Sequence, residues 1–260
     1  MNLPSYSSAS AMLARETLDV IILALPNNQY ENVLTLSELK GKYVLKEKPF
    51  AMSLDQAEQF TEIAQKNSVR FNIAQQRFFA DQYRTAKKWL DDGLIGDILF
   101  FEYRHILNDQ KESWYWEESA GGGCWLNVGW HFAFLMEWFF GTPDHLEVEK
   151  MSSSKRAFEY KTDDTVFITC NYKTFSGRAY LSVVDSFRED SFRITGSLGV
   201  INMSRDCAHL FDNYGNVKEK EKGNELLSYM YQSTGVVQRD LYDSLFTYNI
   251  RAMKIIINNR

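Results

Sequence analysis

Apolar residues fill nearly every position from Leu18 to Leu25 and stop at Pro26-Asn27, the pattern of a strand buried on both faces of a parallel sheet. The period then changes. Between Asn28 and Lys40, Val33, Leu36 and Leu39 recur at helical spacing until Gly41 ends the run. A short strand, Lys42 to Leu45, follows. Ser53-Leu54-Asp55-Gln56 is a capping-box pattern that predicts a second helix through about Asn67, with Ala57, Phe60, Ile63 and Ala64 as its apolar stripe. Val69 to Ala74 is the next strand. This β-α-β-α-β alternation predicts a parallel sheet with right-handed crossovers. Upstream, Met1 to Thr17 offers only a short helix around Ala11 to Arg15.

From Gln75 onward the pattern differs. A helix from about Gln82 to Asp92 stops at Gly93, and the strand Asp97 to His105 follows it. Asp164 to Tyr172, Gly177 to Val184, Ser191 to Thr195 and Val200 to Met203 read as short strands separated by turn residues, which predicts a large, mainly antiparallel open sheet. Between these blocks Trp125 to Phe140 reads as one apolar helix closed by Gly141 and Pro143. The charged run Lys218 to Lys222 reads as a solvated loop. The fold class is thus α/β followed by α+β, with boundaries at 1–75 and 76–260.

Composition narrows the functions. A net charge of -5, from 29 Lys+Arg and 34 Asp+Glu with no basic block, argues against a nucleic-acid partner. Cys124, Cys170 and Cys207 are odd in number and form no C-x-x-C, which fits reduced thiols in the cytoplasm rather than disulfides or zinc. No metal site is expected. The most apolar stretch, Phe132 to Phe140, carries Glu137 and is far shorter than the roughly 18 residues of a membrane span. Met1 to Ala14 lacks the charged start and apolar core of a secretion signal.

Two clusters can carry chemistry. In Glu47-Lys48-Pro49 a lysine stands at the carboxyl end of a strand, where open α/β sheets bind ligands, and the proline biases Lys48 toward an extended backbone. Such a lysine can polarise or deprotonate a hydroxyl. Taken alone, the tripeptide is better explained by a surface lysine in a strand-to-helix turn. The second cluster is Gly121-Gly122-Gly123 followed by Asn127 and His131, four apart and so on one face of a helix. These glycines are not a phosphate loop, because they follow Glu117-Glu118-Ser119 rather than an apolar strand and Leu126 stands where a glycine is needed. No G-x-G-x-x-G occurs, and Gly41 is the one glycine before Glu47.

Taken in order, L-D-V-I-I-L-A-L-P-N, E-K-P, Q-Q-R-F, G-L-I-G-D-I and G-G-G-C-W-L-N-V-G-W-H resemble the Gfo/Idh/MocA family of NAD(P)-dependent oxidoreductases, over about Tyr6 to Met203. The resemblance implies a partial Rossmann-type domain with NAD or NADP as cofactor, then a substrate-binding and dimerising domain. It implies hydride transfer between the nicotinamide and a hydroxyl carbon of a sugar, sugar derivative or cyclic polyol. An NAD-dependent glycoside hydrolase and a non-catalytic binding protein are the alternatives. Lys48 and His131 become the acid/base candidates. Asn127 stands where the family often has aspartate, so it could orient a hydroxyl but not act as a base. Pro26, Asn27, Glu47 and Lys48 fall near the nicotinamide and its ribose, and Tyr30 falls where many members have histidine. Arg77, Asn127, Trp114 and Trp116, with Tyr115, fall near the substrate, at least one of the three aromatics serving the core. A homodimer or dimer of dimers is expected. The family's glycine turn is expected to precede Met1, so the chain reads as N-terminally shortened, with weakened cofactor affinity.

Overall fold

The structure, a computed structural model, describes residues 4–30, 39–108, 114–223 and 239–259, with only the helical backbone for 239–247. Helix α1, Ala9–Arg15, begins where the Ser8 side chain accepts a hydrogen bond from the Ala11 amide. Strands β1 (Val20–Leu23), β2 (Tyr43–Lys46) and β3 (Arg70–Ile73) form a three-stranded parallel sheet in the order β1-β2-β3. Helix α2, Leu54–Lys66, crosses from β2 to β3. Ser53 caps it at Gln56 N, and the Gln56 side chain accepts from the Met52 amide, one residue earlier than a standard capping box. Of the helix expected from Asn28 to Lys40, residues 31–38 lie outside the described residues, and Asn27–Gln29 form a 3-10 turn.

One expectation fails at β1. Ile21 and Leu23 enter the core, but Val20 is 37% and Ile22 64% exposed. Among the described residues β1 is an edge strand whose one buried face meets the core, so its continuous apolar run does not mean two-faced burial.

Helices α3 (Gln76–Phe79) and α4 (Asp81–Asp91) lead into a second sheet. Its strands are β4 (Ile98–Ile106), β5 (His145–Met151), β6 (Thr165–Asn171), β7 (Ser176–Ser182), β8 (Glu189–Gly196), β9 (Gly199–Ser204), β10 (Cys207–Asp212) and β11 (Val217–Lys222). The order is β11-β10-β9-β8-β4-β7-β6-β5, antiparallel except where β4 meets β7. The supposed loop Lys218 to Lys222 is therefore an edge strand. Its Lys/Glu alternation keeps the edge charged, and two inward glutamates reach α4: Glu219 accepts from Trp89 Nε1 at 2.7 Å and Glu221 from Thr85 at 3.5 Å.

The expected single helix from Trp125 to Phe140 is two: α5 (Cys124–Asn127) and α6 (Gly129–Phe139), broken at Val128. Asp163, from the loop before β6, caps α5 by accepting from the Cys124 amide at its carbonyl and from the Trp125 amide at its carboxylate. At Gly129 a Cβ would lie 2.5 Å from the Trp125 ring, so that glycine allows the indole to fold against the break. Trp130, Phe132, Phe134, Leu135 and Met136 are fully buried, making α6 the centre of the core. Helix α7 is Lys155–Tyr160, and the last helix, α8 (Arg239–Asn258), packs along α6 and reaches β3. Among the described residues no helix is long and apolar enough to cross a membrane.

Candidate active site

The carboxyl end of β2 delivers Glu47-Lys48-Pro49 to the break between α5 and α6. There the His131 amide bonds the Val128 carbonyl at 3.1 Å, and the Asn127 carbonyl instead accepts from Lys48 Nζ at 2.8 Å. The helix break thus makes the acceptor that holds the lysine. The Lys48-Pro49 peptide is cis.

The glycine turn explains why Asn127 is an amide-bearing residue. Its Nδ2 donates to the Gly121 carbonyl at 2.9 Å and to the Gly123 carbonyl at 3.1 Å, and Asn27 Nδ2 donates to the same Gly121 carbonyl at 3.3 Å. Gly121 and Gly123 have φ of 82° and 99°, where a side chain is strained, and a Cβ at Gly122 would meet the Tyr115 carbonyl at 2.4 Å. Asn27 and Asn127 therefore brace this turn with their amide nitrogens. Glu47 accepts from the Lys48 amide at 3.2 Å, and Pro26 opens the turn after β1. Tyr30 is buried, its hydroxyl accepting from the Leu25 amide at 3.1 Å.

On the other side of His131 lies a buried charged network. Arg77 donates through Nη1 to the Tyr83 hydroxyl at 2.7 Å and through Nη2 to Asp190 Oδ2 at 2.6 Å, with His105 Nδ1 3.0 Å from the same Nη2. Guanidinium can only donate, so His105 accepts at Nδ1 and carries its hydrogen on Nε2. Consistently, Asp190 Oδ1, 3.4 Å from Nδ1, has no hydrogen-bond partner among the described residues. Burial alone would raise the Asp190 pKa, but the Arg77 charge prevails and holds it at about 2. His105 is pushed down by burial and then by Arg77. His131 is pushed well below the ordinary range, first by burial and then by Arg77, Lys48 and His105. Its Nδ1 is buried without a partner among the described residues, and its ring meets that of His105 edge-on at 5.7 Å.

Arg77, His105, His131 and Asp190 line one cavity of about 560 Å³, with Arg188, Ser204 and Arg205 toward its rim. Of the sequence candidates, Arg77 and His131 line this cavity, and Lys48 is tied to the Asn127 carbonyl four residues before His131. Trp116 is buried in the core and borders a different cavity beside Ser153 and Lys155, while the Trp114 ring lies tilted against that of Tyr115 on the same short turn. His105 and Asp190 were not among the sequence candidates. His105 had a signal, since it shares the inward face of β4 with Phe101 and Tyr103 and so is a histidine at a core position.

Residues 1–75 match the family model described as an oxidoreductase family with NAD-binding Rossmann fold, and residues 83–202 match the GFO/IDH/MocA C-terminal domain. The chain belongs to the Gfo/Idh/MocA family of oxidoreductases. An uncharacterised oxidoreductase of Schizosaccharomyces pombe is 25% identical over 248 residues, 95% of this chain and 66% of that protein. The chain spans about half to two thirds of the length of the curated relatives it matches first. Among solved structures, an oxidoreductase from Thermotoga maritima superposes with a TM-score of 0.80 at 20% identity, covering 100% of this chain and 81% of that one. An inositol dehydrogenase homologue from Azotobacter vinelandii, complexed with NADH and myo-inositol, superposes at 0.77 and 16% identity, covering 95% and 77%. These likenesses show a shared fold.

The cofactor of this fold is NAD or NADP. Pro26, Asn27, Glu47 and Lys48 gather at the carboxyl ends of β1 and β2, where open α/β sheets bind ligands, with Asn27 and Lys48 bonded to the glycine turn and to the end of α5. A pyrophosphate needs the backbone donors of a glycine turn, and these 260 residues contain no G-x-G-x-x-G to supply them.

Proposed function

We propose that this chain carries the catalytic half of an NAD(P)-dependent dehydrogenase acting on a hydroxyl carbon of a sugar, sugar derivative or cyclic polyol. The observation that carries the reading is Lys48, tied to the Asn127 carbonyl four residues before His131, the residue that lines the polar-edged cavity. The cofactor, when bound, supplies the hydride acceptor. Lys48 hydrogen-bonds the reacting hydroxyl oxygen and stabilises the charge that grows on it as the proton leaves. His131, kept neutral by burial and by its cationic neighbours, has an unprotonated ring nitrogen to receive that proton. Arg77 holds His105 with its Nε2 hydrogen available to a substrate oxygen. Asn127 acts through its main chain, since its amide nitrogen is occupied by the glycine turn.

Two experiments test this reading. Titration of NAD(H) and NADP(H) against tryptophan fluorescence is expected to give saturable binding, and its absence would favour the non-catalytic alternative. Turnover of sugars and polyols, followed by reduced cofactor, is expected to disappear in Lys48→Ala while the fold stays intact; a variant with undiminished turnover would remove Lys48 from the mechanism. Net release of a sugar without reduced cofactor would instead point to glycoside hydrolysis. We further infer a homodimer through the open face of the large sheet, where Phe167 is 43% exposed among Arg104, Glu147, Arg178 and Tyr180. The three free cysteines support a cytoplasmic setting.

A further inference from the structure

Lys46 is 1% exposed, at a position where strand alternation puts it on the same inward face as the fully buried Val44. A lysine there is costly unless every donor is met. All three directions are met: Nζ donates to the Glu47 carbonyl at 2.9 Å and to the Pro49 carbonyl, and its remaining side lies 3.4 Å from the centroid of the Tyr30 ring. The two carbonyls belong to the residues immediately before and after Lys48. A methionine or leucine at 46 would fill the same space without the cost of burying an amine, so what lysine adds is the pair of bonds.

We propose that Lys46 is a positioning residue, a buried staple that fixes the backbone on both sides of Lys48 and thereby sets where the Lys48 amine meets the Asn127 carbonyl beside His131. This rests on the reading of Lys48 as the group that contacts the reacting hydroxyl. The charges facing Lys46 are those of its chain neighbours Glu47 and Lys48, while burial pushes its own pKa well down. An amine that loses its proton still donates two N–H bonds, enough for the two carbonyls. Tyr30 has a defined place in the device: its hydroxyl is tied to Leu25 at the end of β1, so the ring over Lys46 couples β1 to the turn after β2.

The test is Lys46→Met, which keeps the length of the stem and removes the donors, read without turnover by amide hydrogen exchange and by acylation of the Lys48 amine mapped by mass spectrometry. The variant is expected to fold, with the amides of Glu47, Lys48 and Phe50 exchanging about 10-fold faster than in the parent. Lys48 acylation should rise with them. In preparations that turn over, kcat should drop about 10- to 100-fold with KM little changed, as for a misplaced rather than a missing group. Unchanged exchange and unchanged Lys48 acylation would overturn the staple whatever the turnover. Full activity in Lys48→Ala would sink the role of Lys48 instead, leaving the exchange result to decide the staple on its own. If Lys46→Met does not fold, the same two measurements are made on Lys46→Gln, which keeps a polar end but is too short to span both carbonyls. Faster exchange and higher acylation in that variant support the staple, and unchanged values overturn it.

Discussion

Arg77 joins Tyr83, Asp190 and His105 from three separate elements, and its replacement leaves a buried carboxylate without its cation. Arg77→Met should therefore cost about 3–5 kcal/mol, the range for breaking a buried ion pair, measured by urea denaturation. The histidines give a separate, pH-dependent signature. Both His105 and His131 have folded pKa values below the ordinary 6.5, so as pH falls through that value the unfolded chain takes up protons that the folded chain refuses. Stability should drop between pH 7 and 5, and His131→Phe should flatten part of that slope in thermal melts. Asp190 does not interfere: its pKa is lowered from 3.8 to about 2, so its contribution is fully present above the ordinary value and lost only in stronger acid. Lys48 and His131 were legible in sequence because each sits in a short local motif. Asp190 was not, since it lies 113 residues from Arg77 and no local pattern announces the pairing.

Among elements, the break between α5 and α6 contributes most to the site and was hidden from periodicity. Trp125 to Phe140 is apolar all round, so no stripe exists whose phase could slip at Val128. The strand β11 was hidden for the opposite reason, because Lys/Glu alternation has no apolar member to mark a buried face. By contrast α2, β2 and β3 were readable from caps, runs and stripes. The glycine turn invites a direct test. In Gly122→Ala the new methyl would meet the Tyr115 carbonyl, so stability should fall by about 1–3 kcal/mol in denaturant titrations. Lys48 acylation should rise in the same variant, because the turn braces the residue whose carbonyl holds that amine.

For the whole molecule, parallel and antiparallel sheets and their order along the chain were legible from alternation, whereas strand order was not, since β4 pairs with β7 and β8 far away in sequence. Light scattering should report a dimer, and Phe167→Glu should shift it toward monomer if the open face is the interface. Helix α8 ties the molecule together at two points. Asn249 accepts from Gln75, two residues before Arg77, at 3.0 Å, and the Ile256 carbonyl accepts from Trp125 Nε1 at 3.0 Å. The chain's last helix is thus bolted to both motif-bearing segments of the cavity, one through an amide pair and one through an indole. A single substitution that loosened this helix would therefore be felt at both ends of the pocket at once, through the Gln75 amide and the Trp125 indole.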